Sequence, residues 1–362
     1  MIKSAYIHIP FCTNICSYCD FPKVYYNNCF IDKYLDALNG EIYKYYKNDK
    51  LKTIYIGGGT PSALNVEELK KLFKILSVFK FEDNYEFTIE CNLDSLSKEK
   101  LELFKKNKIN RLSIGIQTFN EKHLKYLNRI KGDIKLIEYA KEIGFDNINI
   151  DLIYALPNET LDELKSDIDK FLKLGINHIS TYSLIIEDNT QLKINNVSNI
   201  DDELDLQMYN LIRKTLKENG YEHYEISNFA KKGYESKHNL TYWNNEQYYG
   251  FGMGASSYID DKRITNTKSI TKYLNNQYRF EVEIVDLNSK MEYEMILGLR
   301  KINGVNLEKF KCKYDKNIED VFDIEKLIEE GKLIKDNNLR ISDDYLYLSN
   351  DILINFIGDN DE

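Results

Sequence analysis

Short apolar runs alternate with amphipathic stretches through the first half of the chain. The runs Ala5 to Ile9, Thr53 to Ile56, Phe87 to Cys91, Arg111 to Ile116, Ile148 to Tyr154 and Ile179 to Leu184 have strand length. Helical spacing fills the gaps, as in Asn65 to Phe79 and Thr160 to Leu174; in the second, Leu161, Leu164, Ile168, Phe171 and Leu172 form one buried stripe. Strands that alternate with helices imply a parallel sheet wrapped by helices. Six strands are too few to close an eight-stranded barrel, so the pattern predicts an α/β fold built as a six-unit partial (β/α) barrel.

After Leu184 the rhythm changes. Asp201 to Asn219 reads as a helix, Tyr221 to Phe229 as an extended aromatic segment, and Tyr248 to Ile259 as a glycine-rich aromatic stretch. Two helical segments follow, Met291 to Leu299 and Asp323 to Glu330, and then a hairpin over Leu333 to Ile341 and Tyr345 to Leu348. The resulting division is a barrel over residues 1–190, an extension over 191–285, and a smaller, mainly helical, winged-helix-like C-terminal domain over 286–362. A winged helix can bind DNA, but from Lys290 onward there are 17 acidic and 11 basic residues. A structural or partner-facing role fits that balance better.

Charge extends the same exclusion to the whole chain. With 49 basic and 58 acidic residues among 362 the net charge is −9, which is no footprint for nucleic acid. No apolar run approaches the ~20 residues of a membrane span. The N-terminus has no signal-peptide layout, and the few, clustered cysteines suit a reducing cytosol.

Three of the six cysteines, Cys12, Cys16 and Cys19, fall within eight residues at CxxxCxxC spacing, directly after the first strand. Structural zinc would ask for a fourth Cys or His at matching spacing. Cys29, Cys91 and Cys312 are scattered and His8 sits on the preceding strand. Three thiolates suit a [4Fe-4S] cube that keeps one iron open for a small molecule; half a zinc site, or a disulfide with a spare thiol, are the alternatives.

Other candidate groups stand at strand ends, where catalytic groups of such barrels gather. Gly57-Gly58-Gly59-Thr60 follows the second strand and is either a turn or a place where backbone approaches a ligand. Glu90 ends the third strand and Gln117 the fourth; a carboxylate and an amide there suit ribose hydroxyls or an ammonium group. Arg129 is placed to neutralise a carboxylate, and Asp151 opens Asp-Leu-Ile-Tyr-Ala-Leu-Pro.

The run Tyr6-x-His8-Ile9-Pro10-Phe11-Cys12-x-x-x-Cys16-x-Tyr18-Cys19-Asp20-Phe21 resembles the radical S-adenosylmethionine (SAM) proteins. The branch it resembles holds oxygen-independent coproporphyrinogen III oxidase and the haem chaperone HemW family. The resemblance implies a radical SAM partial barrel and a [4Fe-4S] cluster on Cys12, Cys16 and Cys19. It also implies SAM contacts from Tyr6, Gly58, Gly59, Thr60, Glu90, Gln117, Arg129 and Asp151. Departures are Leu93 for a proline, Ala155 for a glycine and Glu159 for a glutamine, all in loops.

Two features separate the branches. The oxidases carry a further cysteine two residues past the third, where this chain has Asp20-Phe21, and His238-Asn239-Leu240-Thr241-Tyr242-Trp243 matches the HNxxYW pattern of the chaperones. By chemistry alone His238 is either a structural histidine beside the single tryptophan or an axial haem ligand; the resemblance favours the ligand. Relatives have Gly-Ala-His where this chain has Gly254-Ala255-Ser256, so no second ligand is assigned. The expectation is a cytosolic haem chaperone with no assigned catalytic residue. Its partners would be haem and haem-accepting proteins, some at the membrane, with peripheral membrane association and a homodimer left open. The alternative is oxidative decarboxylation of coproporphyrinogen III.

Overall fold

The computed structural model describes residues 1–358; the last four residues of the expected C-terminal domain, 359–362, lie outside the described residues. Six parallel strands pair in chain order: Ser4–Ile9, Lys50–Gly58, Lys80–Asn92, Arg111–Gln117, Asn147–Tyr154 and His178–Ser183. Each overlaps one of the expected runs. The sheet continues beyond them to nine strands. Tyr249–Phe251 adds in parallel outside the first strand, while Asn228–Ala230 and then Glu222–Glu225 add antiparallel outside the sixth. These additions are three or four residues long, too short for alternation to show in sequence.

One face of the sheet is apolar. Ala5, Ile7, Ile9, Ile54, Ile56, Phe87, Ile89, Leu112, Ile114, Ile148 and Ile150 join one buried cluster with the inner stripes of the surrounding helices, among them Leu35, Leu72, Phe104 and Phe171. The helices begin where side chains satisfy free backbone N–H groups. Asn65 with Glu68, and Thr160 with Glu163, form reciprocal caps at the starts of Val66–Leu76 and Leu161–Lys173.

The other face is polar. Register puts Tyr6 beside Tyr55, Tyr55 beside Thr88, and Thr88 beside Arg111. One step further along the strands, Glu90, Ser113, Asn149 and His178 form a second row. The helix Lys237–Trp243, which contains HNxxYW, closes the lower end of this face. Its first N–H groups, those of Lys237 and His238, donate to the Glu86 carboxylate at 3.1 and 3.0 Å. Thr241 Oγ1 meets Ser4 Oγ at 2.9 Å, and the His238 ring stacks on Tyr55 with centroids 5.1 Å apart. His178 reaches Tyr224 OH at 2.7 Å, which in turn accepts from the N–H of Ser236, the residue capping the floor helix.

Past residue 286 the helices Leu287–Gly298, Leu307–Tyr314 and Glu325–Glu329 accompany a three-stranded antiparallel sheet of Val305–Asn306, Asn338–Ile341 and Leu333–Lys335. The hairpin lies wholly within Leu333 to Ile341. Tyr345 to Leu348 is not its second strand: Asp343–Tyr345 is a 3₁₀ turn. Asp336 explains the difference, since its carboxylate accepts from Asn338 N–H and makes the turn itself.

Burial fixes how this fold responds to pH. Burial holds His8 and His223 down to about 4 and His238 to about 3, against an ordinary 6.5. Burial also holds Glu41 and Glu225 up at about 7 and Glu159 at about 8, against an ordinary 4.5. Below 6.5 the unfolded chain takes protons at these histidines that the fold refuses, which costs stability down to pH 3–4. The glutamates act oppositely: as pH rises from 4.5 to 7–8 the unfolded chain releases protons the fold retains, and stability falls. Between 4.5 and 6.5 the two sets oppose each other. Thermal unfolding of the cofactor-free protein is therefore expected to show its highest midpoint in that window. A midpoint still climbing from pH 6.5 to 8 would contradict the assignment.

Candidate functional site

A cavity of about 650 Å³ opens at the C-terminal ends of the parallel strands. It gathers ten of the twelve expected residues: Cys12, Cys16, Cys19, Gly58, Gly59, Thr60, Glu90, Gln117, Arg129 and Asp151. Tyr6 and His238 do not line it.

The cysteine loop is tied at both ends. Phe11–Cys12 pairs with Val24–Tyr25, and Ser17 N–H donates to Leu127 carbonyl at 3.1 Å. His8 Nε2 meets Pro22 carbonyl at 2.8 Å while its Nδ1 meets Tyr6 OH at 3.0 Å. Tyr6 thus acts behind the site, orienting His8. Thr60 Oγ1 donates to Cys12 Sγ at 3.6 Å, and Arg129 Nη1 to Cys16 Sγ at 3.5 Å. Burial pushes the Cys12 thiol up to about 11 and the Cys19 thiol up as well, so metal binding here must displace protons.

Two glycines are required by contact. A Cβ on Gly59 would sit 2.7 Å from Pro10 carbonyl oxygen and 2.9 Å from Cys12 Sγ, and one on Gly58, at φ +115°, would strike the His8 ring at 2.6 Å. Gly58 N–H donates to Glu90 Oε2 at 3.0 Å, and Tyr55 OH to Glu90 Oε1 at 2.8 Å. Burial still holds the Glu90 carboxyl up at about 7, helped by repulsion from Asp151, whose own carboxyl burial also raises. Gln117 lies at φ +70° and its buried Oε1 has no partner. An unfavoured backbone angle and an unmet acceptor coincide at this one residue.

The donor set fits an iron–sulfur cube. Among the described residues no three His, Cys, Asp or Glu side chains converge on a single ion. A four-iron cube asks for thiolates at three separate corners instead. Three free thiols round one cavity wall meet that demand, with Arg129 beside one of them.

His238 lies outside the cavity lining. It is 1 % exposed in the floor, Nδ1 held by Thr53 Oγ1 at 2.8 Å and Nε2 by Tyr242 OH at 2.8 Å. Neither nitrogen is free to ligate iron as folded. Its neighbour Asn239 does line the cavity. Sequence reasoning also passed over Arg111, Ser113, Gly115 and Asn149, all on the cavity wall. Stepping back by twos along each strand from Gln117 and Asp151 finds them, because alternate residues share a face. Gly115 has a contact reason too: a Cβ there would lie 2.5 Å from Arg129 Nη2.

The sequence profile of the radical SAM superfamily matches residues 6–171, and that of the HemN C-terminal domain residues 285–344. A protein of Lactococcus lactis named heme chaperone HemW is 41% identical over 99% of this chain and 98% of its own length. One of Bacillus subtilis with the same name is 42% identical over 91% of this chain and 92% of its own. Among solved structures, coproporphyrinogen III oxidase (HemN) from Escherichia coli superposes with a TM-score of 0.87 at 23% identity, over 98% of this chain and 90% of that one, a likeness of fold. Radical SAM membership implies a [4Fe-4S] cluster and SAM as the cofactors of such a chamber. By its full-length likeness to these relatives, the chain belongs to the HemW family of radical SAM proteins.

Proposed function

We propose that this chain is a haem carrier, binding haem and passing it to acceptor haem proteins on a scaffold that also holds a [4Fe-4S] cluster and SAM. The observation that carries this reading is the 41% identity, over 99% of the chain, to a protein named for that task. Geometry supports the cofactor half. Cys12, Cys16 and Cys19 would each hold one iron. The Gly58-Gly59-Thr60 backbone would lie along the methionyl part of SAM, Arg129 would face its carboxylate, and Glu90, Gln117 and Asp151 would take its ribose hydroxyl and amino groups. When bound, the cluster would supply an electron-transfer centre beside the SAM that these residues would hold.

The protein's own part is positioning. Arg129 Nη2 donates to Gly115 carbonyl at 2.9 Å, which fixes the guanidinium before any ligand arrives. The rim offers Phe21, Tyr182 and Ile185, exposed by 61%, 43% and 65%, as apolar surface of the kind a flat macrocycle covers. Acceptor haem proteins are the partners this reading needs; peripheral membrane contact and a second copy belong to the same proposal. No helix of the described residues is long and apolar enough to cross a membrane. Tyr6 enters as the residue that orients His8, and His238 as a structural pin of the floor. Coproporphyrinogen oxidation would use the same chamber and stands second, because Phe21 occupies the place of the oxidase branch's further cysteine.

After anaerobic reconstitution the protein is expected to bind haem and to form no vinyl product from coproporphyrinogen III; vinyl formation over many turnovers would overturn the carrier reading. Replacing Cys12, Cys16 and Cys19 together by serine should abolish the iron–sulfur absorbance while leaving the far-ultraviolet circular dichroism intact. His238→Ala should cost roughly 2–4 kcal/mol of stability, for a buried side chain with two hydrogen bonds, and leave the haem absorption band unmoved. A shifted band at equal folded fraction would return His238 to the role of ligand.

A further inference from the structure

The lower part of the chamber holds a cation that the protein leaves unpaired. Arg111 heads the fourth parallel strand and is 2 % exposed, yet its side chain lines the cavity. Its buried Nε has no hydrogen-bond partner, and among the described residues no carboxylate forms an ion pair with it. The other cations of the cavity wall are engaged. Lys23 donates to Cys19 and Phe21 carbonyls. Arg129 holds Cys16 Sγ and Gly115 carbonyl. Arg300 reaches Asn350 Oδ1 at 3.4 Å and stacks over Trp243. The nearby acids take their hydrogen bonds elsewhere, Glu90 from Tyr55 and Gly58 and Asp151 from Asn149, and act on Arg111 only through longer-range attraction.

A guanidinium taken out of water and left unpaired is costly, and such groups are kept where a ligand completes them. We propose that Arg111 anchors a ligand carboxylate at the floor of the chamber, and that this carboxylate is a propionate of the bound tetrapyrrole, which rests on the haem-carrier reading. The planar fork of arginine matches a carboxylate through two parallel hydrogen bonds. Glu90 and Asp151, which line the same chamber, would repel a doubly charged phosphate about twice as strongly as a single carboxylate. The carboxylate of SAM has its own partner in Arg129, beside Cys16. Arg111 lies four residues lower on the strand than Gly115, whose carbonyl Arg129 grips, a drop of about 13 Å in backbone rise. Ser113 and Asn239 line the same cavity and offer a hydroxyl and an amide for the outer face of a bound carboxylate.

The test compares haem with its dimethyl ester by absorbance titration of the reconstituted full-length protein. Wild type should bind the ester about tenfold to a hundredfold more weakly, the worth of hydrogen bonds to a charged group. Arg111→Gln should bring haem down to the affinity of the ester while leaving ester binding and SAM affinity unchanged, and Arg111→Lys should recover part of the loss. Should Arg111→Gln fail to fold by thermal melting, the ester comparison on wild type and the lysine variant still decide. Equal binding of acid and ester by wild type overturns the anchor and leaves the carrier reading standing. An Arg111→Gln variant that weakens SAM instead of haem assigns the guanidinium to SAM and also overturns it. Binding of neither haem nor ester by wild type removes the carrier reading and the anchor together.

Discussion

The structure depends on burying a polar face. A central parallel sheet is covered on both sides, and here only one side is apolar. The other carries Tyr6, Thr53, Glu86, Glu90, Arg111, Asn149, Asp151 and His178, each costly to hide without a partner. The protein satisfies much of the lower part itself. The floor helix spends its free N–H groups on Glu86, His238 on Thr53, and His178 on Asn149. Left without partners are Arg111 Nε low on the face and Gln117 Oε1 at the strand ends. The chamber is the portion of that face the chain does not complete.

Neutral histidine is the second half of the same constraint. His8 bridges Tyr6 and Pro22 and sets the loop that carries the three cysteines. A charged ring there would face the Gly58 backbone with no counter-ion, and burial keeps it neutral by holding it to about 4. Loop position and the glycine stretch are coupled through this one ring: a side chain on Gly58 would displace His8, and His8 would carry Pro22 with it.

Much of the fold could be read from sequence because the central strands carry mostly isoleucine, leucine and phenylalanine at alternate positions on their outer faces. The strand-end residues were legible for the same reason, since a strand's last inward position is countable from its apolar ones. What could not be read was assembled by distant contacts. Glu86 meets Lys237 across about 150 residues of chain, and no local pattern tells that a seven-residue helix will turn into the barrel instead of covering its outside. His238 shows the consequence. As one residue in a motif it invites a ligand's role, and only the positions of Thr53 and Tyr242 reveal that both nitrogens are occupied.

The chamber by itself does not separate a carrier from an oxidase, since both would place SAM against the same cysteines and carboxylates. The separation belongs to the rim and the side wall. Asp20 and Phe21 follow the third cysteine and line the opening, and Phe21 is mostly exposed. On the side, Arg300, Tyr347 and Asn350 come from beyond residue 286, so the C-terminal segment completes the wall that the partial barrel leaves open. A catalyst gains by enclosing its substrate there and excluding water. A carrier must release an intact macrocycle to another protein, which an apolar, exposed lip permits and a sealed one forbids. The difference between the two tasks therefore lies in how the side wall and rim open, on residues far in sequence from the cysteines that name the superfamily.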